Sequence, residues 1–78
     1  MITATVAIYP MQQEGWDAVD RAIDALRTAG VEVEVRTMQT EVTGEAAAVF
    51  RALESAFEAA ATLGGVVMTV TVSNTCPV

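Results

Sequence analysis

Histidine and lysine are absent from this chain, cysteine occurs once as Cys76, and aromatic residues make up only 5%. Each gap removes a class of chemistry. Without an imidazole or a lysine amine the common general bases and Schiff-base nucleophiles are missing, and the single thiol has no partner to lower its pKa. One cysteine forms no intrachain disulfide, and with no histidine to join it there is nothing to build a zinc or copper site around. Carboxylate pairs do occur, Asp20 with Asp24 and Glu54 with Glu58. Their i, i+4 spacing places them on solvated helical faces, not in an acid–base pair. The expectation is a protein that is not an enzyme and carries no cofactor.

Long hydrophobic runs are also missing. Apolar residues make up 53% of the chain, yet none of its runs approaches the roughly 18 residues needed to span a bilayer. The N-terminus lacks the basic start of a signal peptide, and residues 2 to 9 alternate instead of running apolar. The reading is a cytoplasmic protein with no membrane insertion. Positive charge is scarce as well. Ten acidic residues stand against four arginines, Arg21, Arg27, Arg36 and Arg51, for a formal charge of −6. A phosphate-binding surface needs clustered cations to release counterions, so nucleic acid is not an expected partner. An acidic surface suits a neutral or cationic small molecule, and it serves solubility equally well.

What is present is one compact unit spanning residues 1–78. A chain this short buries only about 60% of its unfolded surface, so it ordinarily needs a disulfide, a metal or a partner subunit. With the first two excluded, self-association as a homodimer or homotetramer is the expected staple.

Residues 2 to 9 alternate, with Ile2, Ala4, Val6 and Ile8 on one face and Thr3, Thr5, Ala7 and Tyr9 on the other, as in a half-buried strand. Pro10 cannot donate to a ladder and should end it. From Trp16 to Ala29 the stripe Trp16, Val19, Ile23 and Leu26 predicts an amphipathic helix with Trp16 in the core, stopped by Gly30. Val31, Val33 and Val35 alternate with Glu32, Glu34 and Arg36 in a second strand, and a third short strand covers Thr40 to Thr43. Thr43 or Gly44 opens a second helix striped by Val49, Phe50, Leu53, Phe57 and Ala60, closed by Gly64 and Gly65. Val66, Met68, Val70 and Val72 then alternate with Val67, Thr69, Thr71 and Ser73 in a last strand that runs into Asn74. The order βαββαβ predicts an α+β, ferredoxin-like fold: a four-stranded antiparallel sheet, order 4-1-3-2, with two helices on one face. The other face carries Thr3, Thr5, Tyr9, Glu32, Glu34, Thr69, Thr71 and Ser73. It either stays solvated, meets its copy in another subunit, or lines a small polar pocket.

The fold alone decides no function. Three stretches resemble the YkoF-like proteins that bind thiamine or its hydroxymethylpyrimidine half. They are Ala7-Ile8-Tyr9-Pro10-Met11, the segment Val35 to Glu45 with Met38, Thr40, Val42 and Gly44-Glu45, and Val67 to Asn74. The chain carries one unit where tandem members carry two, and Gln39 stands where a glycine is expected. The resemblance implies non-catalytic binding of thiamine or hydroxymethylpyrimidine, in the service of thiamine salvage or transport. Its ligand-binding candidates are Thr5, Tyr9, Met11, Met38, Gln39, Ser73 and Asn74. An aminopyrimidine offers an acceptor beside a donor, which the amide of Asn74 or Gln39 can pair with bidentately. Thiamine diphosphate would want a cation cluster or a glycine-rich helix N-terminus, and Gly64-Gly65 sits at the wrong end of its helix. The competing reading is a regulatory or structural oligomerisation module with a different small ligand. Tyr9, Met11, Met38 and Gln39 fall at one end of the sheet and Ser73 and Asn74 at the other, so a site using both ends must lie between subunits.

Overall fold

A computed structural model describes residues 1–11, 15–37 and 39–75. Met38 and Cys76 lie outside the described residues. The elements run β1 (Ile2–Pro10), α1 (Asp17–Arg27), β2 (Glu32–Val35), β3 (Thr40–Gly44), α2 (Ala46–Ala61) and β4 (Val66–Ser73). The strands form one antiparallel sheet in the order β2-β3-β1-β4, which is the ferredoxin-like arrangement anticipated from the alternation. Pro10 ends β1 as expected, as its last residue, paired with Val66. The second helix starts two residues later than Gly44, with Glu45 at its N-cap. Gly30 adopts φ +77, a left-handed turn that lets the chain leave α1 for β2.

Strand pairing fixes which side chains go inward. Ala4 and Val6 of β1 and Val42 of β3 are sealed beneath the helices, and Ile2, Ile8, Val33, Val66, Met68 and Val70 pack around them. The helices meet the sheet through a set of residues that only partly matches the one that side-chain size suggests: Leu26, Val49, Leu53 and Ala60 are shared. On α1 the buried positions are Ala18, Ala22 and Leu26, an i, i+4, i+8 row. On α2 they are Val49, Ala52, Leu53, Ala56 and Ala60. Six of the eleven core residues are therefore alanine, so the two helices approach through short side chains, with little volume per contact.

This corrects the expected helix faces. Trp16, read as core, caps α1 and is 73% exposed. Val19 and Ile23 are half-buried, so α1 is rotated by about one residue, or 100°, from the stripe of large side chains. Phe50 and Phe57 are 55% and 43% exposed, and the alanines between them take the interior.

The rotation is testable. Ala22→Leu forces extra volume against a closed helix pair and should lower stability by about 1–3 kcal/mol. Trp16→Ala, on the exposed cap, should change it by no more than about 0.5 kcal/mol. Urea unfolding of the two variants gives the comparison, and the opposite ranking would put the tryptophan back in the core.

Candidate functional site

Directly opposed residues on neighbouring strands share a face, so the register lays out the uncovered side of the sheet. One row runs Glu32, Thr43, Thr3, Ser73, and the next runs Glu34, Glu41, Thr5, Thr71. Beyond them Ala7 opposes Thr69 and Tyr9 opposes Val67. The face is thus a lattice of hydroxyls on β1 and β4 with carboxylates gathered on β2 and β3. Thr3 and Thr43 hold their hydroxyls 3.4 Å apart. Arg36 donates from Nε to Glu41 at 2.9 Å and lies 3.3 Å from Glu34, which leaves two carboxylates on this face in excess of its one guanidinium.

Two hollows flank the lattice. The first, about 270 Å³, lies at the end where β1 begins and β4 finishes, and is lined by Met1, Ile2, Thr3, Thr43, Ser73, Asn74 and Thr75. Its walls are mostly apolar, with hydroxyls and one amide at the rim. The Ser73 hydroxyl accepts a hydrogen bond from the Thr75 backbone N–H at 2.9 Å, a local turn that fixes the path of the chain through Asn74. The second hollow, about 250 Å³, lies on the helix side at the far end of β1, where Trp16, Val19 and Ile23 face Val35, Thr37, Gln39 and Thr40.

The anticipated site residues divide between these places. Ser73 and Asn74 come together at the first hollow. Thr5 sits mid-face, half-buried. Tyr9 is exposed at the opposite end, and Met11 beside it is anchored by donating its backbone N–H to the Gly65 carbonyl at 2.9 Å. Gln39 lies on the β2–β3 turn, where its carbonyl accepts from the Arg36 N–H at 2.8 Å, and lines the second hollow. From Thr3 to Tyr9 the strand covers roughly 20 Å at about 3.3 Å per residue, so a single small ligand does not touch both ends within one chain. Sequence reasoning missed Glu41 and Thr43. The signal was available, since the inward Thr40 and Val42 leave only Glu41 and Thr43 to face out. Among the described residues no group of three or more acidic residues, cysteines or histidines stands close enough to hold a metal ion. No helix among them is long and apolar enough to cross a membrane.

The geometry assigns opposite tolerances to neighbours on β3. Glu41→Ala, which removes one exposed ion pair, should shift stability by less than about 1 kcal/mol. Val42→Ala should cost about 1.5–3 kcal/mol. Thermal unfolding followed by circular dichroism separates the two, and equal losses would mean that the outward residues carry the fold.

The model of the YKOF-related family matches residues 1–78. Among solved structures, a Thermotoga maritima protein proposed to serve thiamine biosynthesis or salvage superposes with a TM-score of 0.82 at 19% identity, covering 95% of this chain and 83% of that one. A Streptococcus pneumoniae protein gives 0.83 at 25% identity over 92% of this chain and 83% of its own. A domain of unknown function from Bacillus cereus gives 0.84 at 23% identity over 95% and 75%. No curated protein matches the sequence.

Proposed function

Because the chain belongs to the YKOF-related family, we propose that it binds thiamine or its hydroxymethylpyrimidine half without catalysing a reaction. The carrying observation is the hollow of about 270 Å³ at the Ser73–Asn74 end, with apolar walls and a rim of hydroxyls and one amide. Small-molecule sites are concave and mostly apolar, with a few placed polar groups that set orientation. A six-membered heteroaromatic ring suits a space of this size. The Asn74 amide supplies the donor and acceptor that an aminopyrimidine edge requires. The glutamates of the same face, Glu32, Glu34 and Glu41, favour the fixed positive charge of a thiazolium ring. The Thermotoga maritima neighbour proposed to serve thiamine biosynthesis or salvage supports the same ligand class.

Self-association belongs to this reading. Two copies stacked by their open faces, about a two-fold axis running across the strands, set Tyr9 of one chain over Ser73 and Asn74 of the other. The candidates at the two ends of the open face, Tyr9 at one and Ser73 and Asn74 at the other, are then divided between two subunits at each site, with Thr5 between them, while Gln39 stays at the hollow on the helix side. The working protein is a cytoplasmic homo-oligomer.

Thermal-shift measurements with three compounds test the ligand. Thiamine and hydroxymethylpyrimidine should stabilise the protein, by about 2.7 kcal/mol at a hundredfold excess over Kd. The diphosphate should do less, because its added charge meets an acidic face whose one arginine is already paired. A shift with the diphosphate alone would overturn the electrostatic argument. A second measurement locates the site: Asn74→Ala should weaken binding roughly tenfold to a hundredfold, the equivalent of about 1–3 kcal/mol. Tyr9→Ala should do so only if the site is shared between subunits, and unchanged affinity in both variants would move the site elsewhere.

A further inference from the structure

We infer that Glu32 sets the direction of the ligand and selects for positive charge. The hollow at Asn74 continues across the open face into a groove whose far end is this glutamate, so the site takes a two-part molecule, a flat neutral ring at one end and a permanent cation at the other. This rests on the ligand reading above, and adds to it the way the ligand lies and the residue that tells its charged form from its neutral one.

The groove is a consequence of register. Glu32, Thr43, Thr3 and Ser73 stand opposite one another on neighbouring strands. They therefore form one line across the sheet, about 14 Å long at roughly 4.8 Å between strands. Thr43 belongs to two hollows at once. On one side is the hollow already described, shared with Thr3, Ser73 and Asn74. On the other is a hollow of about 330 Å³ lined by Glu32, Val33, Glu34, Glu41 and Thr43. The Thr3 and Thr43 hydroxyls, 3.4 Å apart, form the floor where the two meet. One end of the joined groove is thus apolar with an amide at its rim, and the other end is lined by carboxylates.

Those carboxylates are not equivalent. Glu41 accepts from Arg36 Nε at 2.9 Å, and Glu34 lies 3.3 Å from the same guanidinium. Both belong to the next row, in line with Thr5 and Thr71. Glu32 has no ion-pair partner among the described residues, and of the three it alone stands in the row of Thr43 and Ser73. A ring held by the Asn74 amide above Ser73 and Thr3 therefore carries a second ring, joined to it along the row, over Thr43 and against a carboxylate that nothing else neutralises. The reverse orientation would set the cation against Met1 and Ile2, stripping its water without compensation.

Calorimetry with thiamine and hydroxymethylpyrimidine, which share one ring and differ by the cation, tests the assignment. Glu32 is exposed, so Glu32→Gln should keep the native circular dichroism spectrum and isolate the charge. It should weaken thiamine about three- to fivefold, the worth of one partly screened ion pair, and leave hydroxymethylpyrimidine unchanged. Glu34→Gln removes the same charge from a carboxylate already held by Arg36, and should move either affinity by less than about twofold. In the wild type, added salt should weaken thiamine and spare hydroxymethylpyrimidine. Equal effects of the two variants on thiamine, or equal weakening of both compounds by Glu32→Gln, would overturn the role of Glu32 and leave the ligand reading standing. Failure of both compounds to bind the wild type would overturn the two together.

Discussion

The parity of β1 governs the rest of the molecule. Its even residues, Ala4 and Val6, are sealed beneath two helices, so its odd residues, Thr3, Thr5 and Tyr9, must face away from them. A slip of one residue would bring the threonines into the core and put the valine and isoleucine into water. Both neighbours of β1 inherit this parity through the register, and with it the composition of the open face. Among the described residues both helices lie on one side of the four strands, and this face is left open. The hydroxyl lattice, the carboxylates and the hollow at its end all follow from this division.

Strand chemistry was legible in the sequence because alternation has a period of exactly two, and each β-branched residue states its face. The sheet order, the open-face residues Thr3, Thr5, Glu32, Glu34, Thr69, Thr71 and Ser73, and the separation of Tyr9 from Asn74 were all readable from it. The helix faces were half legible. The stripes of apolar residues named Leu26, Val49, Leu53 and Ala60, which are buried, but also Trp16, Phe50 and Phe57, which are exposed, and they passed over Ala18, Ala22, Ala52 and Ala56. Alanine adds little to hydropathy, but it lets two helices and a sheet come close, and close packing decides which side turns inward. With alanine on every side of α2, hydropathy alone could not single out the buried one. The hollow at Asn74 was half legible. Its two polar residues were named, but Met1, Ile2 and Thr43 join them only through the pairing of three strands.

An alanine-rich core also bears on why large side chains remain outside. Burying a phenylalanine contributes about 1.5–3 kcal/mol, and a chain with a small core gains most from surface that it can still cover. Phe50 and Phe57 have no place between the helices, where alanines already fill the gap. About half of each is already covered within the chain, and the rest of the contribution is realised only if something outside covers it.

The proposed stacking and the proposed groove divide the work of the site between chain and pair. Stacking open face on open face uses a two-fold axis that lies parallel to the sheet and crosses the strands, so each strand lies over its own copy, running the other way. The row Glu32, Thr43, Thr3, Ser73 at one end of one sheet then lies under the far end of the other, where Tyr9 stands. Such a contact is isologous and closes at two chains, with one site at each end of the stack. The groove floor, the Asn74 amide and the Glu32 carboxylate all come from a single chain, whereas the cover over them comes from its copy. Discrimination between charged and neutral ligands is therefore a property of one chain, and the exclusion of water that strengthens it is a property of the pair. Loss of the face contact would leave each groove intact but open on one side, with its preference for a cation weakened by solvent screening.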